Sequence, residues 1–474
     1  MLILPLNSYN IKTFTLSDPV EKGEVEARKQ ATKNNEQINL NNIPNAQYSK
    51  ISFTGINAIE RVSKTNNRKI ENYYGCIIGG AIGDALGSPI EFLNMEQIKR
   101  FYGKNGIKNL QNGEYGQAEV SDDTQMLFFT ADGLIKSIGE KFKSNEIPDM
   151  NVVYNSYLDW LETQEKSYVK KKQSKGWISQ IPALYERRAP GDTCIGALSS
   201  GKMGSITKPI NNSKGNGGVM RVAPAGLLYY NNPKIAFEVG ARCAAITHGH
   251  PSGYLSAGVL ASVLAYITKG ESLENAIDKS INILEKYKNH EEVKEAILKA
   301  KKLAGSNLSP AKAIQHIGGG WVGEEAVAIA IYCALKFPDN FEKAVKTAVN
   351  HGGDSDSTGA IAGNIMGLYL GDSAIPEKWK NNIELKKELK TLASDLYYAP
   401  FRIQKIRHRY PYHTGRIPNW YESFQTPRSS SKRLQYVKFS PKDEARMRSM
   451  SAKDLIEYKR YLIKNKLYDI EKTN

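Results

Sequence analysis

His351-Gly352-Gly353-Asp354-Ser355-Asp356-Ser357-Thr358-Gly359, running on into Ala360-Ile361-Ala362-Gly363-Asn364-Ile365-Met366-Gly367, is the stretch on which the reading of the chain turns. Two glycines make a turn. Two carboxylates follow with one residue between them, and a hydroxyl pair leads into a run that reads as a buried helix. Asp356 or Ser357 is a natural N-cap. The carboxylates then sit at a helix N-terminus, where free backbone N–H groups and the dipole stabilise negative charge. Gly359, Gly363 and Gly367 fall on one ridge in steps of four. Each glycine inside a helix costs about 0.5–1 kcal/mol relative to alanine. Three on one ridge therefore predict a second helix packed very close.

The candidate partner is Gly75, Gly79, Gly83 and Gly87, the same ridge in another apolar run that leads into Ser88-Pro89-Ile90-Glu91-Phe92. A further acidic element follows at Ser121-Asp122-Asp123-Thr124. Paired carboxylates flanked by hydroxyls, occurring twice, suggest one shared site. Two unit charges 4 Å apart repel by about 4 kcal/mol at an effective dielectric of 20, so four carboxylates on one pocket need cations. Oxygen ligands without nearby cysteine point to a hard ion such as Mg²⁺ or Mn²⁺. Either motif taken alone is equally well read as an ordinary helix cap.

The chain has 474 residues and a formal net charge of +16. Residues 401–474 hold 18 Lys and Arg against 7 Asp and Glu. The basic excess thus belongs mainly to the tail and gives no reason to make the central region a nucleic-acid enzyme. Cys76, Cys194, Cys243 and Cys333 are scattered, with no Cys-x-x-Cys. They read as small buried hydrophobes and fit a reducing, cytoplasmic compartment. Met1–Leu6 is apolar but too short for a signal segment. No run of 18 apolar residues is found; Gly75–Phe92 and Ser252–Thr268 come closest and read as core helices, so no membrane partner is expected.

Three regions follow from composition and period. Residues 1–68 are polar and biased, and are expected to be a disordered leader. Residues 69–399 show helical period almost throughout, over 71–86, 124–137, 152–164, 235–246, 252–268, 273–287, 291–303, 324–335, 341–349 and 385–396. Residues 400–474 form a basic extension with a short amphipathic helix over 451–467. That helix is read as a solvated face in preference to a nucleic-acid or acidic-protein binder. The fold class is all-α: an orthogonal multi-helix domain with long loops, flanked by poorly structured tails.

Several loops carry unusual residues. Arg187-Arg188-Ala189-Pro190-Gly191-Asp192-Thr193 is a turn into a capped helix, read equally as a cleft wall. Asn211-Asn212-Ser213-Lys214-Gly215-Asn216-Gly217-Gly218 leaves backbone N–H groups free to approach an anion, with Lys214 able to add charge. It is no Walker or dinucleotide fingerprint, because no strand precedes it and the spacing is wrong. Thr247-His248-Gly249-His250 reads as a helix C-terminus or a ligand contact. His351 lies beside the acidic motif, and Trp321 follows a glycine run.

Five elements in this order resemble the ADP-ribosylglycohydrolase family, which includes the dinitrogenase-reductase-activating glycohydrolases. They are Gly83-Asp84-Ala85-Leu86-Gly87 with Glu91, Ser121-Asp122-Asp123-Thr124, Gly215-Asn216-Gly217-Gly218-Val219-Met220-Arg221, Thr247-His248 and Gly353-Asp354-Ser355-Asp356-Ser357. The resemblance implies an ADP-ribosylglycohydrolase-like domain that hydrolyses ADP-ribose from a modified protein side chain. It implies two Mg²⁺ or Mn²⁺ ions on Ser121, Asp122, Asp123, Asp354, Asp356 and Ser357. It implies ligand contacts from Ser213, Gly215, Asn216, Gly217 and His248, with Glu91, Asp123 and Asp356 in catalysis. Arginine is the expected acceptor and serine the next. The carboxylates alone would also serve a two-metal phosphoesterase, and the loop alone would serve a non-catalytic ADP-ribose binder.

Overall fold

A computed structural model describes residues 69–166, 168 and 176–411, together with a few residues between 437 and 470. The expected leader over 1–68 and the expected helix over 451–467 lie outside the described residues, Tyr458 excepted. The described chain is helical. Its strands are one antiparallel pair of two residues each, Val437–Lys438 with Asp469–Ile470.

The centre is α1 (Ile70–Gly87), in which every residue from Gly75 to Gly87 is buried. It lies antiparallel to α14 (Ser355–Leu370), buried from Ser355 to Leu368. The two glycine ridges meet. A Cβ on Gly75 would stand 2.1 Å from the Gly367 carbonyl oxygen, one on Gly79 2.6 Å from that of Gly363, and one on Gly83 1.9 Å from that of Gly359. No side chain fits between the backbones. Dispersion between two close-packed backbones offsets the helix propensity that seven glycines give up. Two asparagines tie the pair: Asn364 Nδ2 donates to the Cys76 carbonyl at 2.8 Å, and Asn72 Nδ2 to that of Leu368 at 2.7 Å.

The other helices surround this pair. They are α2 (Met95–Tyr102), α3 (Asp122–Lys136), α4 (Met150–Glu165), α5 (Asp192–Ser199), α6 (Ala223–Leu228), α7 (Pro233–Ala245), α8 (Pro251–Thr268), α9 (Leu273–Leu284), α10 (Glu291–Ala304), α11 (Pro310–Ile317), α12 (Gly323–Lys336), α13 (Phe341–Val349), α15 (Glu377–Asn382) and α16 (Lys386–Ile406). The short α2, α6, α11 and α15 escape a reading by period because two turns hold too few residues to show one. α8 reaches 18 residues at a mean hydropathy of 1.2, which is long and apolar enough to cross a membrane, yet 89% of it is buried inside the fold. It packs against α7, α9 and α12, as a core helix does.

The last helix runs past the expected end. α16 continues through Pro400, with Arg402 at φ −139° and ψ 33°, because proline removes an N–H and kinks the helix. Beyond it, Tyr410 is fully buried. Its hydroxyl donates to Asp395 at 2.9 Å, and Arg409 Nε donates to the same carboxylate at 3.0 Å. The chain packed against the core therefore runs through Tyr410, and it is rejoined by Met447, 3% exposed, and by Met450, whose carbonyl accepts from Arg100 Nη2 at 3.3 Å.

Two predictions follow. Gly359→Ala puts a Cβ 2.4 Å from the Gly83 carbonyl and should cost about 3 kcal/mol by urea denaturation. Gly196→Ala, inside α5 with open space around it, should instead gain up to about 1 kcal/mol. Truncation after residue 411 removes the buried Met447 and should lower the thermal midpoint slightly while leaving the activity unchanged. Truncation after residue 399 removes the Asp395 partners and should lower both.

Candidate functional site

α1 ends against the start of α14. A Cβ on Gly87 would meet the Ser355 carbonyl oxygen at 2.3 Å and the Asp356 amide nitrogen at 2.4 Å. One turn earlier, the fully buried Asp84 accepts from the Ser121 amide at 2.9 Å, from the Thr124 amide at 3.1 Å and from the Thr124 hydroxyl. α1 thus fastens the N-terminus of α3 through Asp84 and admits the N-terminus of α14 through Gly87. The two acidic motifs converge because both helices begin on α1.

The caps differ from expectation. Asp354 is the N-cap of α14, its carboxylate accepting from the Ser357 amide, and Asp356 and Ser357 lie inside the first turn. The cap falls two residues before Asp356 and three before Ser357 because Asp354 already satisfies that amide. Ser121 caps α3, so Asp122 and Asp123 are its first two residues. All six expected metal-binding residues are buried. The charge of Asp356 reaches Asp84, Asp122 and Asp123, so the two motifs share one electrostatic site.

The carboxylates repel one another strongly. Burial, and next the charge of Asp356, raise Asp84 to about 7 and push Asp122 and Asp123 well above the usual range. Asp356 is itself held well up, by burial first and by Asp354 next. Glu91, Asp354 and Asp356 each offer an oxygen, all within 4.8 Å of one another. Asp123 Oδ2 is buried without a hydrogen-bond partner. Crowded oxygen donors, buried and acceptor-only, fit a hard cation.

Glu91 arrives by a sharp bend. The chain turns by 98° between the end of the Ile70–Ile90 segment and α2, and Glu91 lies in that corner, 8% exposed. Its neighbour Phe92 stacks on Trp321, ring centroids 5.9 Å apart. Trp321 belongs to the loop that pairs with the Gly/Asn loop. The Asn216 amide donates to the Trp321 carbonyl at 3.2 Å, Asn216 Nδ2 to that of Gly320 at 2.7 Å, and the Gly323 amide to that of Lys214 at 2.8 Å. The same run touches the acidic cluster. The Asp354 amide donates to the Gly319 carbonyl at 2.8 Å, next to the Gly320 carbonyl that Asn216 Nδ2 holds.

The remaining expected contacts surround that loop. Ser213 Oγ stands 3.0 Å from Thr193 Oγ1 and accepts from the Gly215 amide at 3.3 Å. The His248 ring lies under the loop, 3.2 Å from a Cβ built on Gly217. Burial, reinforced by the Arg221 charge, lowers it to about 3, so it is neutral. His351 is likewise buried and lowered to about 4, with Nε2 bonded to Thr358 at 2.9 Å. Lys214 does not point its charge freely into the loop: Nζ pairs with Glu324 at 2.7 Å and with Glu292. Arg188 wraps the first motif. Its carbonyl accepts from the Asp122 amide at 3.2 Å, Gly191 N donates to Asp122 Oδ2 at 3.2 Å, and its guanidinium pairs with Glu384. Ala189 between them takes φ +50°, a left-handed conformation disfavoured for alanine.

Asp84, Arg221 and Glu324 are not among the site residues read from the sequence, whereas Arg188 stands in the stretch read as a cleft wall. Asp84 and Arg221 stood inside the quoted motifs, and their charge in apolar runs was the available signal. Glu324 reaches the site through a contact between distant segments, for which the sequence carries no sign.

The ADP-ribosylglycohydrolase family model matches residues 65–404. An uncharacterized protein of Archaeoglobus fulgidus is 27% identical over 71% of this chain and 99% of its own. The ADP-ribosylhydrolase ARH3 of Homo sapiens is 24% identical over 70% and 94%. The ADP-ribosylarginine hydrolase Tri1 of Serratia proteamaculans is 26% identical over 70% and 80%. With most of the chain matched and both acidic motifs brought onto one helix end, the protein belongs to the ADP-ribosylglycohydrolase family.

Proposed function

We propose that the protein hydrolyses the bond between ADP-ribose and an arginine side chain of a modified protein, using two Mg²⁺ or Mn²⁺ ions. The observation that carries this reading is the joining of the Gly/Asn loop to the acidic cluster through Gly319 and Gly320, whose carbonyls accept from the Asp354 amide and from Asn216 Nδ2. An anion-binding loop and a cation-binding cluster on one surface suit a ligand with both a diphosphate and ribose hydroxyls.

Ser121, Asp122, Asp123, Asp354, Asp356 and Ser357 would hold the ions, which when bound offset the carboxylate repulsion, orient ribose hydroxyls and lower the pKa of water. The chain's own groups divide the remaining work. The 215–217 turn lies against the diphosphate, its Gly215 and Asn216 amides held by Ser213 Oγ and the Trp321 carbonyl, and His248 supports it from below. Glu91, close to Asp354 and Asp356, takes a proton from the attacking water. Asp123 and Asp356 keep negative charge beside the anomeric carbon, which favours an oxocarbenium-like transition state.

Arginine as acceptor draws support from an exposed patch beside Arg188. Tyr115 is 67% exposed, and the charges of Glu186, Glu114 and Glu119 reach its hydroxyl and raise its pKa. Glu186 precedes the Arg188 loop that covers Asp122. An acidic rim with an open aromatic face suits a guanidinium. The name of the Serratia relative includes ADP-ribosylarginine, whereas that of ARH3 leaves the acceptor unstated. A cytoplasmic location goes with the four buried free thiols.

Asp123→Asn and Asp356→Asn should each weaken Mg²⁺ or Mn²⁺ binding by roughly 100-fold or more in calorimetric titration, with helical circular dichroism retained. Unchanged affinity in both variants would remove the shared site. The reaction is tested by chromatography after incubation with arginine-, serine- and acetyl-linked ADP-ribose, with divalent ion and with chelator. Free ADP-ribose should come from the arginine linkage, only with the ion. Inorganic phosphate as product would make it a phosphoesterase, and ligand binding without any product would make it a binding module.

A further inference from the structure

The Gly/Asn loop is fastened at one end by a group of charges outside the acidic cluster. Lys214 Nζ lies between Glu324, the second residue of α12, and Glu292, the second residue of α10. Glu292 also accepts from the Ser252 hydroxyl near the start of α8. Three helix N-termini thus converge on the lysine. Glu324 is 5% exposed, and its Oε2 is buried without a hydrogen-bond partner, so Lys214 is the principal compensation for its charge. Removing one member of such a pair leaves the other charge stranded.

The lysine's backbone continues the argument. Its carbonyl accepts from the Gly323 amide, one residue before Glu324. Gly215 bridges Val322, and Asn216 bonds Trp321 and Gly320. Residues 214–216 are therefore laid against 320–323, with the ion pair closing one end and the Asn216–Gly320 bond the other. A glycine-rich loop has little intrinsic order. Something must hold its amides in one arrangement if they are to bind an anion without an entropic penalty.

We propose that Lys214 is a positioning residue: clamped by Glu324 and Glu292, it holds the 215–218 turn in place for a diphosphate and does not itself contact the phosphates. The inference rests on the reading of that loop as the ADP-ribose site. Two variants separate the clamp from a direct contact. Lys214→Met removes the cation. Glu324→Gln keeps the lysine but releases it. For a clamp, both variants weaken binding of free ADP-ribose and raise KM by roughly tenfold with kcat little changed, as expected when uniform binding is lost. Lys214→Arg restores most of the affinity. For a lysine that reaches the phosphates, Glu324→Gln frees it and tightens binding, which overturns the proposal.

The experiment is calorimetric titration of the full chain with ADP-ribose, in parallel with KM and kcat on ADP-ribosyl-arginine, and with thermal midpoints recorded for each variant. Wild-type protein that fails to bind ADP-ribose defeats the reading of the site. Wild-type protein that binds, with both variants binding equally well, defeats the clamp alone. A variant that unfolds is replaced by Glu292→Gln, which removes the more exposed partner and should give the same direction with a smaller rise. No change in that variant, with Lys214→Met also unusable, counts against the clamp.

Discussion

Everything at the site depends on how closely α1 and α14 approach. With a carbonyl oxygen 1.9 Å from where the Gly83 Cβ would stand, the two backbones are in contact along four successive turns. That contact sets the distance between Asp84, on the last turn of α1, and Asp354 and Asp356, on the first of α14. A ligand atom misplaced by about 1 Å costs a site much of its rate or affinity. The glycines therefore do more than pack a core. They are the ruler that fixes carboxylates from two distant stretches within reach of one cation, and their helix-propensity cost is carried for that purpose.

The second constraint is electrostatic and works against the first. Close packing buries the acids, and burial and mutual repulsion both oppose their ionisation. The helix N-termini of α3 and α14 and the hydrogen bonds to Asp84 and Asp354 recover part of this cost. The recovery is incomplete, since Asp84 is still raised to about 7 despite three bonds to Thr124 and Ser121. A fold that spends stability to crowd acids in this way is suited to a cation, which returns the energy on binding. Such conflicts between local stability and global fold are concentrated at functional sites.

How far the sequence discloses this depends on the kind of interaction. The Gly75–Gly87 and Gly359–Gly367 ridges are legible because a step of four is a helical period and the glycine cost demands a compensating contact. The acidic pairs are legible for a similar reason, as charges at the edges of apolar runs. α16 is legible only to Leu396, because Pro400 imitates a helix end, whereas the structure bends through it to bury Tyr410. Lys214 shows the limit most clearly. Its loop context invites a phosphate contact, and nothing local announces Glu292 and Glu324, which lie 78 and 110 residues away. Local chemistry is written in the sequence, while the partner that neutralises a charge is chosen by tertiary packing.

Packing also decides what His248 can offer. Arg221 is fully buried, with its guanidinium 4.3 Å above the Tyr157 ring and bonded to Thr247 Oγ1 at 2.7 Å and the Cys243 carbonyl at 3.2 Å. The ring face and the carbonyl dipole stand in for a counter-ion. Thr247 Oγ1 accepts from Arg221, so its single proton is free to donate. His248 Nδ1 at 2.8 Å is nearer than the Ala244 carbonyl at 3.4 Å. The donor direction then runs from Arg221 through Thr247 to Nδ1, which leaves the proton of the neutral imidazole on Nε2. Nε2 lies 3.4 Å from a Cβ built on Gly217. Burial first, and the arginine's charge next, keep the ring neutral, and the arginine–threonine chain turns its Nε2 proton toward the Gly217 side of the Gly/Asn loop.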